Sequence, residues 1–447
     1  MTASETGSAT ARARISGWVK KTDRRFIAST VAFVYGLFAI LIVLEQGLGL
    51  GTVNSIFGAW RTITFLFAAY ALITLALNLH WGYTGMFNIG IAGFMAVGIY
   101  TMGMLSTSPD ALSGQGLGLP LPIGILGGMI AAALVGLLAA IPALRVSSDY
   151  FAIVTLGLSE IIRLAAGSRT LSKWTTNTFG FGTGGGSGMD LPGRPTDSIL
   201  DTSIGESFAE LFVIDPGRID LLLFEIGGEE VTLVSSSILS DFLWSLIMLL
   251  VMAGVYWLVR RIGYSPFGRV LKAIREDELV AQSLGKDTRR FKIKVFMVGC
   301  ALMGLAGILW QGSQGFANPN SFRPVITFYA FIALIIGGSG SNTGSVVGSL
   351  LFVGLLFEGP RQVGAIISAR FNLGNAPGTF DGAIAPLADF SFQPFLAYAI
   401  DNIAPLQFVL LGVVLIVIIQ KRPNGMFGDR TETAAAVNLG KQEGNDE

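Results

Sequence analysis

The chain contains few side chains that could take part in covalent chemistry. It has a single histidine, His80, and a single cysteine, Cys300. Neither belongs to a group of His, Cys and carboxylate residues at metal-ligand spacing, so we expect no metal and no cofactor bound by this chain. His80 precedes Trp81 at the end of an apolar run, which indicates an interfacial anchor rather than a catalytic base. Cys300 lies within an apolar run and is interpreted as a small buried residue.

Two glycine-rich turns are the first candidates for a functional site. They contain Gly82, Tyr83, Gly85, Asn88 and Gly90 in one, and Gly337, Gly338, Gly340 and Asn342 in the other. Irregular backbone at membrane depth is tolerated only where it is buried in protein or lines a cavity. Transporters use broken helices of this kind to meet polar substrates. We therefore predict that the two turns line a translocation path, although close helix packing explains the glycines equally well.

The second turn lacks the chemistry of a nucleotide-binding loop. A P-loop needs a Lys-Ser or Lys-Thr pair after its glycines, whereas Gly344 is followed directly by Ser345. We therefore expect that the chain has no ATPase site and that any energy from ATP comes from another subunit.

The longest strongly charged insertion between two apolar segments spans residues 260–294, with ten Lys and Arg and four Asp and Glu residues. A basic loop of a membrane protein faces the cytoplasm. Ser265 and Pro266 supply a helix start signal and Gly285 a C-cap. Apolar residues recur between them at roughly helical spacing, at Val270, Ile274, Ala281 and Leu284. We predict one amphipathic helix that contacts a cytoplasmic partner; a helix lying on lipid headgroups is the alternative.

Apolar helices must position these segments. The chain is 51% hydrophobic and 13% charged, against about 25% charged residues in soluble domains. Several apolar runs approach the ~20 residues of a membrane span. We predict an all-α polytopic membrane protein of about ten spans with both termini cytoplasmic, because every basic segment then falls on one side. Eight spans plus re-entrant segments would keep the same orientation. The zero net charge gives no indication of nucleic-acid binding.

The predicted organisation divides the chain into membrane halves and polar segments. These are a cytoplasmic tail (1–25), a first transmembrane half (26–166), an extracytoplasmic acidic and glycine-rich loop (167–240), a second half (241–428) with its outer loop (358–402), and a disordered cytoplasmic tail (429–447). Within 167–240, the runs 221–224 and 231–234 indicate two short strands. Glu160 and Arg163, one helical turn apart in the fifth span, predict a mutually satisfied ion pair, with a gate or substrate contact as the alternative.

Six stretches together resemble the permease subunits of ABC importers for branched-chain amino acids, of the LivM type. They are GYTGMFNIGIAGFMAVGIY (82–100), SDYFAIVTLGLSEIIRL (148–164), GRVLKAIREDELVAQSLGKD (268–287), MGLAGILWQGSQGFANPNSF (303–322), ALIIGGSGSNTGSVVGSLL (333–351) and RPNGMFG (422–428). The resemblance implies a multi-pass subunit of the cell membrane with three kinds of partner. These are a second homologous permease, two ATP-binding cassette subunits and an extracytoplasmic substrate-binding protein.

The resemblance also gives the helix of the basic loop a role, which is coupling to the ATPase. The residues that would carry it are Arg275, Glu276, Asp277, Glu278, Ala281 and Gly285. The match to the family's E-A-A…G pattern is imperfect, since Leu279 stands six residues before Gly285. Permeases for urea or short amides are similar at these motifs. The few charges within the spans argue against a stand-alone secondary transporter and against a membrane enzyme.

Overall fold

The computed structural model is a bundle of apolar helices. It describes residues 3–47, 50–111, 116–143, 148–196, 213–214, 231–232, 236–371, 373, 375–423 and 425–427. The predicted tail 429–447 lies outside the described residues.

Six helices are long and apolar enough to cross a membrane, and a seventh crossing is added if one bent pair counts as a single span. The spans are Arg25–Gln46, Gly51–Gly82, Leu121–Pro142, Ser240–Tyr264, Thr288–Gly312 and Asn342–Ser368. The bent pair joins Tyr150–Ala166 to Arg169–Phe179 at 65°. Three shorter apolar helices accompany them, Ile91–Ser106, Val325–Gly337 and Gln407–Lys421. The chain is therefore a multi-pass membrane protein, while ten crossings and cytoplasmic termini stay predictions.

The first half of the chain contributes helices α1 to α6. They are α1 (Ala3–Gln46), α2 (Leu50–Leu77), α3 (Ile91–Ser106), α4 (Leu121–Ala143), α5 (Ser148–Ala166) and α6 (Arg169–Phe179). Helix α2 continues into a π-helical turn, Asn78–Gly82.

The second half begins at α7 and includes the two short helices of the basic loop. Its helices are α7 (Ser236–Tyr264), α8 (Pro266–Glu276), α9 (Glu278–Ser283), α10 (Thr288–Gly312), α11 (Val325–Gly337), α12 (Asn342–Leu351), α13 (Gly359–Phe371), α14 (Phe380–Ile384), α15 (Gln393–Asp401) and α16 (Ile403–Lys421). A second π-helical turn, Phe352–Glu358, joins α12 to α13.

The predicted outer loop 358–402 is largely helical, which corrects the sequence-based boundary. The span that begins at Asn342 runs on to Ser368, and α14, a 3₁₀ turn (Ala385–Asp389) and α15 follow. Polar residues occupy the last turns of this long span, so the apolar run ends at Phe357 while the helix does not.

Short strands occur in and beside the segment 167–240. Strand β1 (Met189–Asp190) pairs antiparallel with β4 (Phe316–Ala317). Strand β2 (Val213–Ile214) pairs antiparallel with β3 (Val231–Thr232). One predicted strand therefore exists at 231–232 with a partner that the sequence did not indicate, and the other, 221–224, lies outside the described residues.

The core of the bundle depends on glycines where α3, α4 and α10 meet. A Cβ added to Gly98 would lie 2.5 Å from the Cα of Gly304, and one added to Gly304 would lie 2.8 Å from the Cβ of Ala132. Such distances leave no room for a side chain, so the backbones themselves are in contact, as small residues permit in membranes.

We predict that Gly98→Val lowers the stability of the chain, because the added carbons have to displace backbone atoms. Overpacking of this kind costs about 1–3 kcal/mol. The measurement is the melting temperature of the purified chain in detergent. Gly254→Val in α7 is the matched control, since a Cβ there has nothing within 4 Å. Equal melting temperatures for the two variants would contradict the prediction.

Candidate functional site

The two glycine-rich turns meet at one end of the bundle through a pair of buried amides. Asn78, the first residue of the π turn that ends α2, donates from Nδ2 to Asn342 Oδ1 at 2.8 Å. The Asn78 Oδ1 accepts the backbone N–H of Gly340 at 2.7 Å. Both asparagine side chains are buried. One amide therefore joins the first turn to two points of the second.

Tyr83 adds a third contact, because its hydroxyl donates to Asn342 Oδ1 at 3.1 Å. The two backbones also touch directly: a Cβ on Gly82 would lie 2.6 Å from the nitrogen of Gly340. Gly340 itself has φ +87°, a left-handed conformation that glycine adopts without strain. Glycine is thus required at position 82 by the close approach of the two backbones and at position 340 by the left-handed turn.

The basic loop docks onto the same place through Arg275 in α8. Its Nη1 donates to the carbonyl oxygen of Gly82 at 2.5 Å. A Cβ on Gly340 would lie 2.8 Å from that same nitrogen. The arginine therefore reaches both glycine turns, and we call this cluster the junction. Its members are Asn78, Gly82, Tyr83, Arg275, Gly340 and Asn342.

The start and the end of the predicted helix in the basic loop are confirmed, but its continuity is wrong. Ser265 caps α8 by accepting the N–H of Gly268, and Pro266 is its first residue. Gly285 has φ +74°, as a C-cap requires. Between them the helix breaks at Asp277, which is extended (φ −155°) and accepts the N–H groups of Leu279 and Val280. This carboxylate acts as the N-cap of α9, so a local side-chain contact ends α8.

Three of the four charged residues predicted to contact a partner make contacts within this chain. Arg275 binds Gly82, Asp277 caps α9, and Glu278 pairs with Lys292 at 2.6 Å. Glu276 is exposed, and Ala281 is the buried residue of α9. A role in coupling for these residues stays a prediction.

Three large apolar side chains on α9 and at its C-cap are exposed. Leu279 is 73% exposed, Val280 54% and Leu284 73%. The predicted periodicity places Leu284 on the buried face, whereas the structure exposes it. The reason is the break at Asp277, because α9 is a separate helix and does not continue the periodicity of α8. We call Leu279, Val280 and Leu284 the α9 knob.

The remaining residues of the two turns have packing contacts elsewhere. Asn88 Oδ1 accepts the N–H of Gly90, and a Cβ on Gly90 would lie 2.7 Å from the carbonyl oxygen of Thr155 in α5. Gly85 is left-handed at φ +73°. The carbonyl of Gly337 accepts the N–H of Phe427 at 3.0 Å, and Gly338 contacts Gly425. The junction therefore contains two of the five residues predicted in the first turn and two of the four predicted in the second, and lining of a translocation path stays a prediction for all of them.

His80 is fully buried rather than at an interface, so the predicted anchor is wrong. Its Nε2 lies 3.1 Å from the carbonyl oxygen of Phe296, and its ring stacks on the Phe296 ring at 4.7 Å between centroids. Helix α2 continues past its predicted end as a π turn, which places the imidazole inside the bundle against Gly299. Cys300 is buried, as predicted. Among the described residues, no group of three or more His, Cys, Asp and Glu residues is arranged for a metal ion.

The ion pair in α5 is confirmed. Arg163 Nε donates to Glu160 Oε2 at 2.9 Å, and Arg163 Nη1 contacts Asn320 Oδ1 at 3.3 Å. The carboxylate and the guanidinium thus satisfy each other, and the structure adds an anchor to the segment before α11.

Sequence reasoning missed Asn78, which makes two of the hydrogen bonds of the junction. The signal was present: an amide inside the apolar run LITLALNLHW needs a protein partner at membrane depth. The partner was not predictable, because Asn342 is 264 residues away.

We predict that Asn78→Leu and Asn342→Leu each lower the free energy of unfolding by about 1–3 kcal/mol, since each leaves buried polar partners unpaired. The measurement is a double-mutant cycle on the purified chain in detergent. We expect a coupling energy of about 0.5–3 kcal/mol between the two sites. Fully additive effects would show that the two amides do not interact.

The chain is similar in sequence to known transport permeases. Residues 60–419 match the family described as branched-chain amino acid transport system / permease component. The LivM permease protein of Escherichia coli K12 is 29% identical over 72% of this chain and 66% of its own length. A probable LivM protein of Methanocaldococcus jannaschii is 24% identical over 82% and 93%. The LivH permease protein of Salmonella typhimurium is 31% identical over 28% and 39%.

The chain spans just under two thirds of the Escherichia coli relative that it matches. No solved structure is significantly similar to it. The matched region covers both glycine turns, the basic loop and all six residues of the junction. The chain therefore belongs to the family of permease components of branched-chain amino acid transport systems.

Proposed function

We propose that this chain is a membrane subunit of an ATP-driven importer of branched-chain amino acids. In this proposal it forms the translocation path with a second, homologous permease, and a substrate-binding protein delivers the amino acid on the outer side. Energy comes from two ATPase subunits, which contact the basic loop on the cytoplasmic side. The similarity to both LivM and LivH proteins, each named as a permease of a branched-chain amino acid transport system, supports the substrate and the second permease.

The single observation that carries the proposal is the hydrogen bond from Arg275 to Gly82. It joins a short helix outside the spans to the last residue of a membrane-spanning helix. Because the same guanidinium lies against Gly340, a movement of α8 has to displace both glycine turns. A coupling element needs such a rigid connection to the transmembrane helices.

The α9 knob supplies the complementary feature, a surface for the ATPase. Its three apolar side chains are largely exposed on a loop that also carries ten Lys and Arg residues. Exposed apolar residues with a polar rim mark protein interaction sites. Asp277 and the Glu278–Lys292 pair fix the orientation of α9, so the knob is preorganised for a groove on the partner.

We predict that Gly285→Trp abolishes ATP-driven leucine uptake and leaves the chain in the membrane. A Cβ at Gly285 has nothing within 4 Å, so the indole projects next to the α9 knob and blocks the docked ATPase. The measurement is uptake into vesicles together with the amount of ATPase that copurifies with the tagged chain.

Gly285→Asn is the control for the backbone, because asparagine tolerates the left-handed φ of +74° better than other residues. We expect it to retain uptake and copurification. Uptake by Gly285→Trp at the wild-type rate would reject docking at this surface. Purification of the wild-type chain without any ATPase, with uptake driven by an ion gradient, would reject the importer itself.

We predict that Arg275→Gln keeps the ATPase bound but lowers uptake about tenfold or more, since a hydrogen bond to a charged group contributes about 1.5–3 kcal/mol. The measurement is the ratio of solute transported to ATP hydrolysed. Arg269→Gln, in the same helix, removes an exposed arginine and controls for the loss of charge. An unchanged ratio in Arg275→Gln would show that the junction does not couple the two processes.

A further inference from the structure

Helix α6 lies on the side of the bundle away from the junction. It follows α5, in which Arg163 contacts Asn320 at 3.3 Å. Asn320 belongs to the turn before α11, and α11 is the apolar helix that leads to the second glycine turn. The 13 residues of α11 extend about 20 Å at 1.5 Å per residue. The end of α5 and the start of α6 are therefore separated from the junction by the length of this helix.

The bend between α5 and α6 turns the chain away from the direction of the span. The two helical segments, Tyr150–Ala166 and Arg169–Phe179, meet at 65°. Ser168 starts the new helix by accepting the N–H of Leu171, and Gly180 ends it with φ +77°. Membrane-spanning helices tilt by about 20° on average. A bend of this size therefore directs α6 towards the plane of the membrane.

The side chains of α6 are sorted around its axis. An α-helix advances about 100° per residue. On this basis Trp174 and Phe179 lie within about 80° of Leu171. Arg169 and Lys173, two residues before and after Leu171, each lie about 160° from it. A helix with Trp, Phe and Leu on one face and Lys and Arg on the other is typical of a membrane interface. We call Leu171, Trp174 and Phe179 the α6 face.

The chain itself packs against the side of α6 opposite the α6 face. A Cβ on Gly182 would clash with the side chain of Thr176, and one on Gly185 would lie 3.2 Å from the Cα of Arg169. Both glycines are buried. Strand β1 follows this loop and pairs with β4, which joins the loop to the bundle. These contacts fix the rotation of α6 about its axis, so the α6 face points outward.

The α6 face presents exposed aromatic rings that contact one another. Trp174 is 56% exposed and Phe179 is 53% exposed. Their rings meet edge-on with centroids 5.7 Å apart. Phe179 also stacks on Phe181, again at 5.7 Å. The rings therefore hold one another in place although the face that they form is exposed.

The span before α6 also exposes apolar side chains. In α5, Ile161 is 65% exposed and Leu164 is 58% exposed. Side chains that point out of a membrane-spanning bundle meet lipid chains, which are as apolar as leucine. The bilayer along α5 therefore reaches its surface near the bend. Tryptophan is enriched at this level of membrane proteins, because its ring is amphipathic, and Trp174 stands there.

The size of the α6 face favours lipid over a protein partner. Aromatic side chains carry about 150–250 Å² each, so the exposed parts of Trp174 and Phe179, together with Leu171, amount to roughly 300 Å². A stable protein interface needs about 800 Å² on each side. The α6 face alone is therefore too small for a stable protein interface, whereas insertion into a bilayer has no such minimum area.

The charges around α6 point to the same partner. Residues 161–189 contain Arg163, Arg169 and Lys173 and no Asp or Glu. Arg163 pairs with Glu160, while Arg169 and Lys173 are exposed. Basic side chains near a membrane surface are attracted to the phosphate groups of anionic lipids. The polar side of α6 is therefore suited to lipid headgroups and its apolar side to acyl chains.

We infer that α6 is an interfacial helix whose apolar face inserts into the surface of the bilayer on the side away from the junction. The α6 face lies among the first carbons of the acyl chains, and Lys173 meets the headgroup phosphates. This contact holds the end of α5 and, through Arg163 and Asn320, the turn before α11. The inference does not depend on what the chain transports, so its test needs no transport assay.

The test is the depth of nitroxide labels in the membrane, measured by electron paramagnetic resonance. The full chain, with the subunits that copurify, is placed in vesicles of phosphatidylcholine and phosphatidylglycerol. The native cysteine is removed by Cys300→Ala. Single labelling sites are then introduced by Leu171→Cys, Trp174→Cys or Phe179→Cys. The collision probes are oxygen, which concentrates in the bilayer, and nickel–EDDA, which stays in water.

We expect the labels on the α6 face to lie about 5–10 Å inside the boundary between headgroups and acyl chains. Their ratio of oxygen to nickel collisions should exceed that of Lys173→Cys and Asn177→Cys, the matched controls on the polar side. Frequent nickel collisions at all five positions would place α6 in water and overturn the inference. Few collisions with either probe at the α6 face would show that a protein covers it, which would also overturn the inference.

A second set of variants tests whether the aromatic rings make the contact. Trp174→Glu and Phe179→Glu are combined with the label at Leu171→Cys. We expect the label to shift from the bilayer into water, because two carboxylates oppose insertion. Asn177→Glu in the same labelled chain is the control, and we expect it to leave the label in the bilayer. A label depth that is the same in both variants would contradict insertion through the α6 face.

Discussion

The requirement that buried polar groups find partners inside the protein governs the arrangement of this bundle. At membrane depth there is no water to satisfy an amide, so Asn78 has to bond to protein. It does so with Asn342 and with the backbone of Gly340, and these bonds fix how α2 meets the start of α12. Glycine at positions 82 and 340 lets the two backbones come close enough for these bonds, since any side chain there would separate them. Arg275 binds the carbonyl oxygen of Gly82 at this same point of contact.

Helix α2 extends from the junction to a cavity of about 360 Å³ that Arg61 lines. At one end its π turn contributes Asn78 and Gly82 to the junction, and Arg61 lies toward the other end. Helix α12 repeats this plan, because Asn342 belongs to the junction and the π turn that follows α12 carries Glu358. In both helices a change of hydrogen-bonding pattern re-aims polar residues without interrupting the span. Two spans thus link the junction to residues that line this cavity.

The sequence predicted the class of fold, the positions of the apolar segments, the caps at Ser265 and Gly285 and the α5 ion pair, because local composition determines each of them. The sequence-based predictions failed where the structure depends on a residue distant in the sequence or on a competing local hydrogen bond. The break at Asp277 depends on a side chain that caps the next helix in place of continuing the last one. The burial of His80 depends on Phe296 and Gly299 across the bundle. The junction joins residues separated by more than 190 positions, a pairing that periodicity does not encode.

From the sequence alone, neither the glycines nor the charged residues could be given a single role. Their contacts in the structure distinguish those roles. Gly82 and Gly340 serve a close approach, while Gly285 serves only a turn. Arg275 connects elements, whereas Asp277 shapes a helix end. In the proposed importer this division has a mechanical consequence. A force on the α9 knob reaches Arg275 through α8, and Arg275 contacts the inner ends of both spans at once. A shift of α2 relative to α12 would then change the separation of Arg61 and Glu358, which both line the cavity of about 360 Å³.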